Sequence, residues 1–341
     1  MTSMQRVLTT LSHQEPDRVP FFLLLSLYGA KVLGMSIQDY FSKAENVIAG
    51  QLRMRQQFQH DCYYTFYYAS LEMEAWGGNT LFSEDGPPTA GVPIIKNCEQ
   101  IADLQVPTVR DSSVLQKVLQ TTETLKKHAR GEVPIIGVVM SPFSLPVMQM
   151  GFEKYFELIY RRREQFNTLM RMNEAFCVEW ANAQLESGAT AICYFDPLAS
   201  PSMIPRELFL ETGYLVAKRT VAAIKGPTAL HLASAKGMPA VVDLVQTGIG
   251  AVAVSADENL AQIKAECKNK ITVLGNLNGI AMRRWTRDET FDQVKKAIAA
   301  AAQGGGFILA DHHGEIPWQV PEDVLYWVAE AVREYGTYPL K

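Results

Sequence analysis

The sequence predicts an α/β architecture, a (β/α)8 TIM barrel with a hairpin excursion after strand 2, on three observations. Eight β-rich apolar runs recur along the 341 residues. They scarcely alternate between apolar and polar positions, as expected of strands covered on both faces of a parallel sheet. Segments with helical periodicity and proper ends separate most of them.

The runs are "VPFFLLLS" from Val19, "CYYTFYY" from Cys62, "VPIIGVVM" from Val133, "ATAICYF" from Ala189, "PTALHLA" from Pro227, "AVAVSA" from Ala251, "ITVLGN" from Ile271 and "GFILA" from Gly306. The interval from Tyr68 to Val133 is too long for one crossover. Its "EAWGGNTLFSEDGPPTAGVPIIKN" sets Gly and Pro clusters between short β-like stretches, so a hairpin is expected there, over the barrel mouth. "FEKYFELIYRRREQFNTLMRMNEAFCVEWANAQLESG" reads as one helix closing at Gly188, with Arg161, Arg162 and Arg163 on its solvated face. "ASAKGMPAVVDLVQTG" closes at Gly248, and "DENLAQIKAECKNK" begins at an acidic cap. In "TRDETFDQVKKAIAAAAQGG", Thr286 is the N-cap and Glu289 completes a capping box, while "PEDVLYWVAEAVREYG" starts with proline. The whole chain, 1–341, is expected to form a single barrel domain.

Composition narrows the function. At 48% hydrophobic, 20% charged and net charge -4, the chain is a globular protein with no basic surface for nucleic acid or membrane. The apolar stretch from Val19 is broken by Ser26, Gly29 and Lys31, too short for a span, and a cytoplasmic protein is expected. Cys62, Cys98, Cys177, Cys193 and Cys267 show no CxxC or HxC spacing, so buried reduced thiols are expected.

In such a barrel the chemistry sits at the carboxyl ends of the strands. The residues there are unusually polar: Tyr67, Tyr68, Ser141, Asp196, His231, Asp257, Asn276, Asn278, and the turn Asp311, His312, His313. Asp196 and Asp257 could equally be helix N-caps. His231 stands among apolar neighbours in "TALHLAS", and His312 and His313 arrive at the same rim three strands later. Two imidazoles and a carboxylate from separate strands are the donor set of an open zinc site, although no local HExxH motif is present.

"RVLTTLSHQEPDRVPFF", "EAWGGNTLFSEDGPPTAGVPI", "PIIGVVMSPFSLPV", "LESGATAICYFDPLASPSMIPRELF", "VLGNLNG" and "GGFILADHHGEIPWQVPEDV" resemble the uroporphyrinogen decarboxylase superfamily, and more closely its cobamide-dependent methyltransferase branch. The resemblance covers essentially the whole chain and implies the barrel. Two departures qualify the activity. The decarboxylases carry an arginine-rich loop after the first strand and an aspartate ending the second; here "LSLYGAKVLGM" offers only Lys31, and Tyr68 stands at the aspartate position. A tetrapyrrole with eight carboxylates needs cationic partners. The thiol-methylating members hold zinc with an HxC pair and a later cysteine; here these read His231, Leu232, Ala233 and His313.

A harder, imidazole-and-carboxylate site suits an oxygen or nitrogen rather than a thiol. The resemblance therefore implies a methyltransferase moving a methyl group between a small methyl ether or methylamine and a separate corrinoid protein, since the chain has no DxHxxG module of its own. In that expectation His231, His313 and Asp196 are catalytic, and zinc is held by His231, His313 and Glu74, with Asp196 or Asp311 as other candidate carboxylates. Tyr67, Tyr68, Asn276, Asn278 and Trp318 would contact substrate. Two other readings stay open, a decarboxylase and a catalytically silent corrinoid-binding barrel. His313 matches the histidine of the decarboxylases' "GHG" turn, so it can work without metal, leaving His312 as the odd residue.

Overall fold

Each of the eight apolar runs contributes a strand in the computed structural model, which describes every residue except Lys268, His313 and Lys341. In chain order the strands are β1 (Phe21–Phe22), β2 (Tyr63–Tyr64), β3 (Thr80–Leu81), β4 (Thr89–Ala90), β5 (Ile135–Met140), β6 (Ala191–Phe195), β7 (Thr228–His231), β8 (Ala251–Ala253), β9 (Thr272–Leu277) and β10 (Phe307–Asp311). Eight form one sheet in the order β1-β10-β9-β8-β7-β6-β5-β2, with every pairing parallel. β3 and β4 pair separately and antiparallel.

The sheet curls until its two end strands meet, giving a TIM-barrel-like fold. Across that seam the Asp61 N–H donates to Phe21 O at 2.9 Å. The carboxamide of Gln51, reaching in from the helix Ala44–Phe58, donates to Leu25 O at 2.9 Å and accepts from Tyr64 N–H at 3.1 Å.

Two layers of apolar side chains follow from the two-residue period of the strands. Inside the curl pack Phe22, Leu24, Cys62, Tyr64, Ile136, Val138, Cys193, Ala251, Ala253, Leu274, Ile308 and Ala310, with Val7 from the first helix, Ser3–Leu11, in the same cluster. The alternate positions, such as Val139, Tyr194, Leu230, Val252, Val273 and Leu309, join a larger core with the surrounding helices. A cavity of about 100 Å³ remains inside the curl, with Val7, Tyr64, Cys193, Ala229 and His231 among its lining.

The long helix read from Phe152 to Ser187 is in fact two, Phe152–Arg161 and Arg163–Ser187, broken where Arg162 takes φ -130° and ψ 56°. Gly188 ends the second at φ +117°, a conformation that favours glycine. Gly248 likewise closes the short helical stretch Val241–Thr247. The capping box of Thr286 and Glu289 is present, and a second joins Thr2 to Gln5. All five cysteines are free, and four of them are buried. Among the described residues, no helix is long and apolar enough to cross a membrane.

Candidate active site

His231 is the last residue of β7, and its register partners are Phe195 on β6 and Ala253 on β8. The alternation of β7 turns it inward above Ala229, and the Phe195 ring lies against it, stacked at 4.5 Å between centroids and 23° between planes. Its Nδ1 accepts the backbone N–H of Ala233 at 3.0 Å. The turn after β10 reaches the same place: a Cβ on Gly314 would stand 3.1 Å from Phe195 Cζ. So β6, β7 and the turn after β10 converge on His231. His313 lies outside the described residues.

The neighbouring strand ends resolve by the same alternation. Phe195 ends β6, and Asp196 follows it in the turn. Asp196 accepts a hydrogen bond from Ser144 Oγ at 2.6 Å and is fully buried. Burial pushes its carboxyl up to about 7 against the opposing pull of the Ser141 and Ser144 hydroxyls. Asp311 likewise faces the backbone, accepting Leu24 N–H at 3.1 Å, and burial pushes it up to about 7. Glu315 accepts from Ser26 Oγ, and burial pushes it up to about 7. His312 is buried with Nδ1 2.9 Å from Leu277 O, and since a carbonyl only accepts, Nδ1 carries the proton.

The remaining candidates are dispersed. Tyr67 is a packing residue: its ring stacks on Phe41 at 5.4 Å and its hydroxyl meets Thr121 Oγ1 at 2.7 Å. Tyr68 donates to Glu74 Oε1 at 2.8 Å, and burial together with the Glu74 charge keeps the phenol protonated. Glu74 borders an open groove of about 680 Å³ with Asn79, Thr80, Phe82, Thr108 and Asp111. Asn276 donates to Ser255 O at 2.9 Å, and Asn278 accepts Ala281 N–H at 2.9 Å; both line a second groove of about 440 Å³. Trp318 is half-buried against the outer core, and its carbonyl accepts from Lys31 Nζ at 2.9 Å.

Two residues that the sequence did not single out shape the site. Phe195, the last inward position of "AICYF", sets the plane of the His231 ring. Glu72, in "SLEMEAW", is buried, accepts Met140 N–H at 2.8 Å, and is pushed up to about 8 by burial. Its one legible signal is a carboxylate between Leu71 and Met73.

A metal-bound imidazole coordinates through one nitrogen and donates from the other. In His231 the Nδ1 atom already accepts the Ala233 N–H. Among the described residues, no group of three His, Cys, Asp or Glu is placed to hold a metal. His313, one of the three expected ligands, lies outside those residues.

The sequence profile of the uroporphyrinogen decarboxylase (URO-D) family matches residues 2–335. The chain belongs to the uroporphyrinogen decarboxylase family. Within it, the uroporphyrinogen decarboxylase of Actinobacillus pleuropneumoniae serotype 5b is 25% identical over 77% of this chain and 75% of its own length. A methylcobamide:CoM methyltransferase of Methanosarcina mazei is also 25% identical, over 62% of each chain. The solved structure of a methyltransferase from Methanosarcina mazei superimposes with a TM-score of 0.86 over 98% of this chain and 99% of its own, at 18% identity, and so shares the fold. Relatives of this family member thus include both decarboxylases and a methyltransferase.

Proposed function

We propose that this protein is the methyltransferase component that moves a methyl group between a small methylated substrate, of the methyl ether or methylamine type, and a corrinoid carried by a separate protein. The observation that carries the choice over decarboxylation is Lys31. It is the one cation in the short helix Tyr28–Leu33 that follows β1, and its ammonium is committed to the carbonyls of Trp318 and Val320 at 2.9 and 3.0 Å. With Tyr68 bound to Glu74 on the neighbouring strand end, this side of the mouth offers a polycarboxylate no cationic grip, whereas a small neutral molecule needs none.

In this reading residues 1–341 act as one catalytic unit in a (β/α)8 barrel. The pair β3–β4 is the excursion beside the mouth, and the groove at Glu74 and Phe82 is the substrate's approach. Its volume of about 680 Å³ is that of a small-molecule site. When its carrier docks, the corrinoid supplies the cobalt that takes or gives the methyl group. The chain's own residues bind and orient the substrate: Tyr68 and Phe82 form an apolar wall, and His231, held flat by Phe195, faces the heteroatom bearing the methyl group.

The test follows the absorbance of cob(I)alamin mixed with the protein and a panel of methyl ethers and methylamines. Methylation is expected with at least one donor, and His231→Ala is expected to slow it about 100-fold with its circular dichroism unchanged. Turnover of uroporphyrinogen without any methylation of cob(I)alamin would give the decarboxylase reading its place.

A further inference from the structure

We infer that Gln319 latches the β3–β4 hairpin across the barrel mouth and thereby sets the width of the groove at Glu74. What passes through that groove rests on its reading as the substrate's approach. The latch itself rests on where the hairpin tip is bound, what it is bound to, and which wall of the groove the hairpin supplies.

The hairpin leaves the barrel after β2, whereas the stretch after β10 lies on the other side of β1 in the closed strand order. Gln319, on that stretch, donates from Nε2 to Asp85 O at 2.8 Å and to Asp85 Oδ2 at 3.2 Å. The hairpin therefore spans the rim past the end of β1. Gln319 stands on a fixed platform. Ile316 N–H donates to Leu24 O at 2.9 Å, the Tyr28 hydroxyl donates to Val320 O at 2.8 Å, and Lys31 Nζ donates to Trp318 O at 2.9 Å. The carbonyls on either side of Gln319 are thus tied down, and its exposed side chain reaches out to the hairpin.

The hairpin is the movable partner. Ser83, Glu84 and Asp85 at its tip are exposed, and β3 and β4 pair over only two residues each. Its first foot is Gly77, at φ +83°, a left-handed conformation natural to glycine. Near the feet, Ser70 Oγ accepts from Thr80 Oγ1 at 3.1 Å and donates to Pro88 O at 3.4 Å, while Gly91 N–H donates to Asn79 O at 2.8 Å. That end is the pivot, and the tip is the part that swings. Asn79, Thr80 and Phe82 of the hairpin line the groove together with Glu74, Ala75 and Asp111 of the body, so the hairpin is one of its walls. The Phe82 ring packs edge-on to Tyr68 at 5.5 Å, and lifting the tip carries that apolar wall away. One exposed carboxamide is a weak hold, so the hairpin opens locally while the barrel stays folded.

The experiment uses the full chain without methyl donor or corrinoid. Hydrogen exchange is followed in the hairpin, with Thr228–His231 of β7 as the reference. Gln319 is exposed, so replacing it leaves the packing intact. Gln319→Leu should speed exchange in the hairpin about 2- to 10-fold, the range of one exposed hydrogen bond, with β7 unchanged. Gln319→Lys keeps a donor opposite Asp85 O and its carboxylate and should return the rate to that of the wild type. In parallel, a thiol is placed in the groove by Ala75→Cys and titrated with a maleimide, in a Cys98→Ser background because Cys98 is the one cysteine that is not buried. Its labelling should quicken with Gln319→Leu and slow again with Gln319→Lys. Hairpin exchange unchanged in Gln319→Leu, accelerated equally in β7, or as fast in Gln319→Lys as in Gln319→Leu overturns the latch. Thiol labelling that is unchanged by Gln319→Leu overturns its hold on the groove. Methyl transfer enters neither measurement, so either one can fail while that reading stands, and the reverse.

Discussion

Glu72 shows how one buried carboxyl writes itself into stability. It is 5% exposed, accepts Met140 N–H, and burial pushes it up to about 8 from an ordinary value of 4.5. Below pH 4.5 native and unfolded chains both hold the proton. Between 4.5 and about 8 the native state keeps a proton that the unfolded chain has released, so stability falls as pH rises through that window. Glu72→Gln cannot titrate. The urea-unfolding free energy of the wild type should therefore fall relative to the variant between pH 5 and 8, by on the order of a few kcal/mol. A difference that stays constant over that range would refute the assignment. The residue scale also marks the limit of what could be read from the chain alone. A polar residue ending a buried strand is visible, and His231 is legible that way. Whether it faces in or out depends on where the two-residue count begins, which register fixes and local sequence does not. Hence Phe195, which the sequence does not single out, lies against His231, while Asp196 accepts from Ser144 and Tyr67 packs against Phe41 and Thr121.

Helix ends are more legible than strand ends because their chemistry is local. Thr286 accepts Glu289 N–H at 3.3 Å while the Glu289 carboxylate accepts Thr286 N–H at 2.8 Å, the reciprocal bonds implied by the spacing of those two residues. Thr286→Ala should cost about 1 kcal/mol, measured as a shift of the urea midpoint at constant slope. An unchanged midpoint would mean that the box is satisfied equally well by water. Breaks inside helices are harder to read. The 3.6-residue pattern runs without interruption through "IYRRREQF" because three solvated arginines satisfy it in either arrangement, yet the backbone breaks at Arg162. The strands are legible through their apolar runs, but β1 and β2 are only two residues each in the ladder. Their length is set by how far each pairs with its neighbour across the chain, a long-range property that composition does not carry.

At the scale of the whole molecule the decisive feature is the seam between β1 and β2, the two ends of the strand order. An eight-stranded sheet leaves edge groups unpaired until it closes on itself. Here much of that work falls to side chains. Asp61, fully buried, accepts Phe21 N–H at 3.0 Å and pairs with Arg6 and Arg18 at 2.7 and 2.8 Å. One pleat higher, Gln51 stands in for a missing strand by giving its N–H to Leu25 O and its oxygen to Tyr64 N–H. The two supports are not equivalent, because Asp61 holds only the first residue of β1, whereas Gln51 holds the chain just before the helix Tyr28–Leu33 that carries Lys31. Gln51→Leu keeps the packing volume but leaves one buried carbonyl and one buried N–H without partners. At about 1–3 kcal/mol for each orphaned group, the loss in urea unfolding should be about 2–6 kcal/mol. Hydrogen exchange should localise it, with faster exchange of Tyr64 N–H and unchanged exchange at β7, on the far side of the curl. A loss under about 1 kcal/mol would show that Asp61 alone holds the seam, and uniform acceleration through every strand would show that the seam is part of the global unfolding unit rather than a local closure.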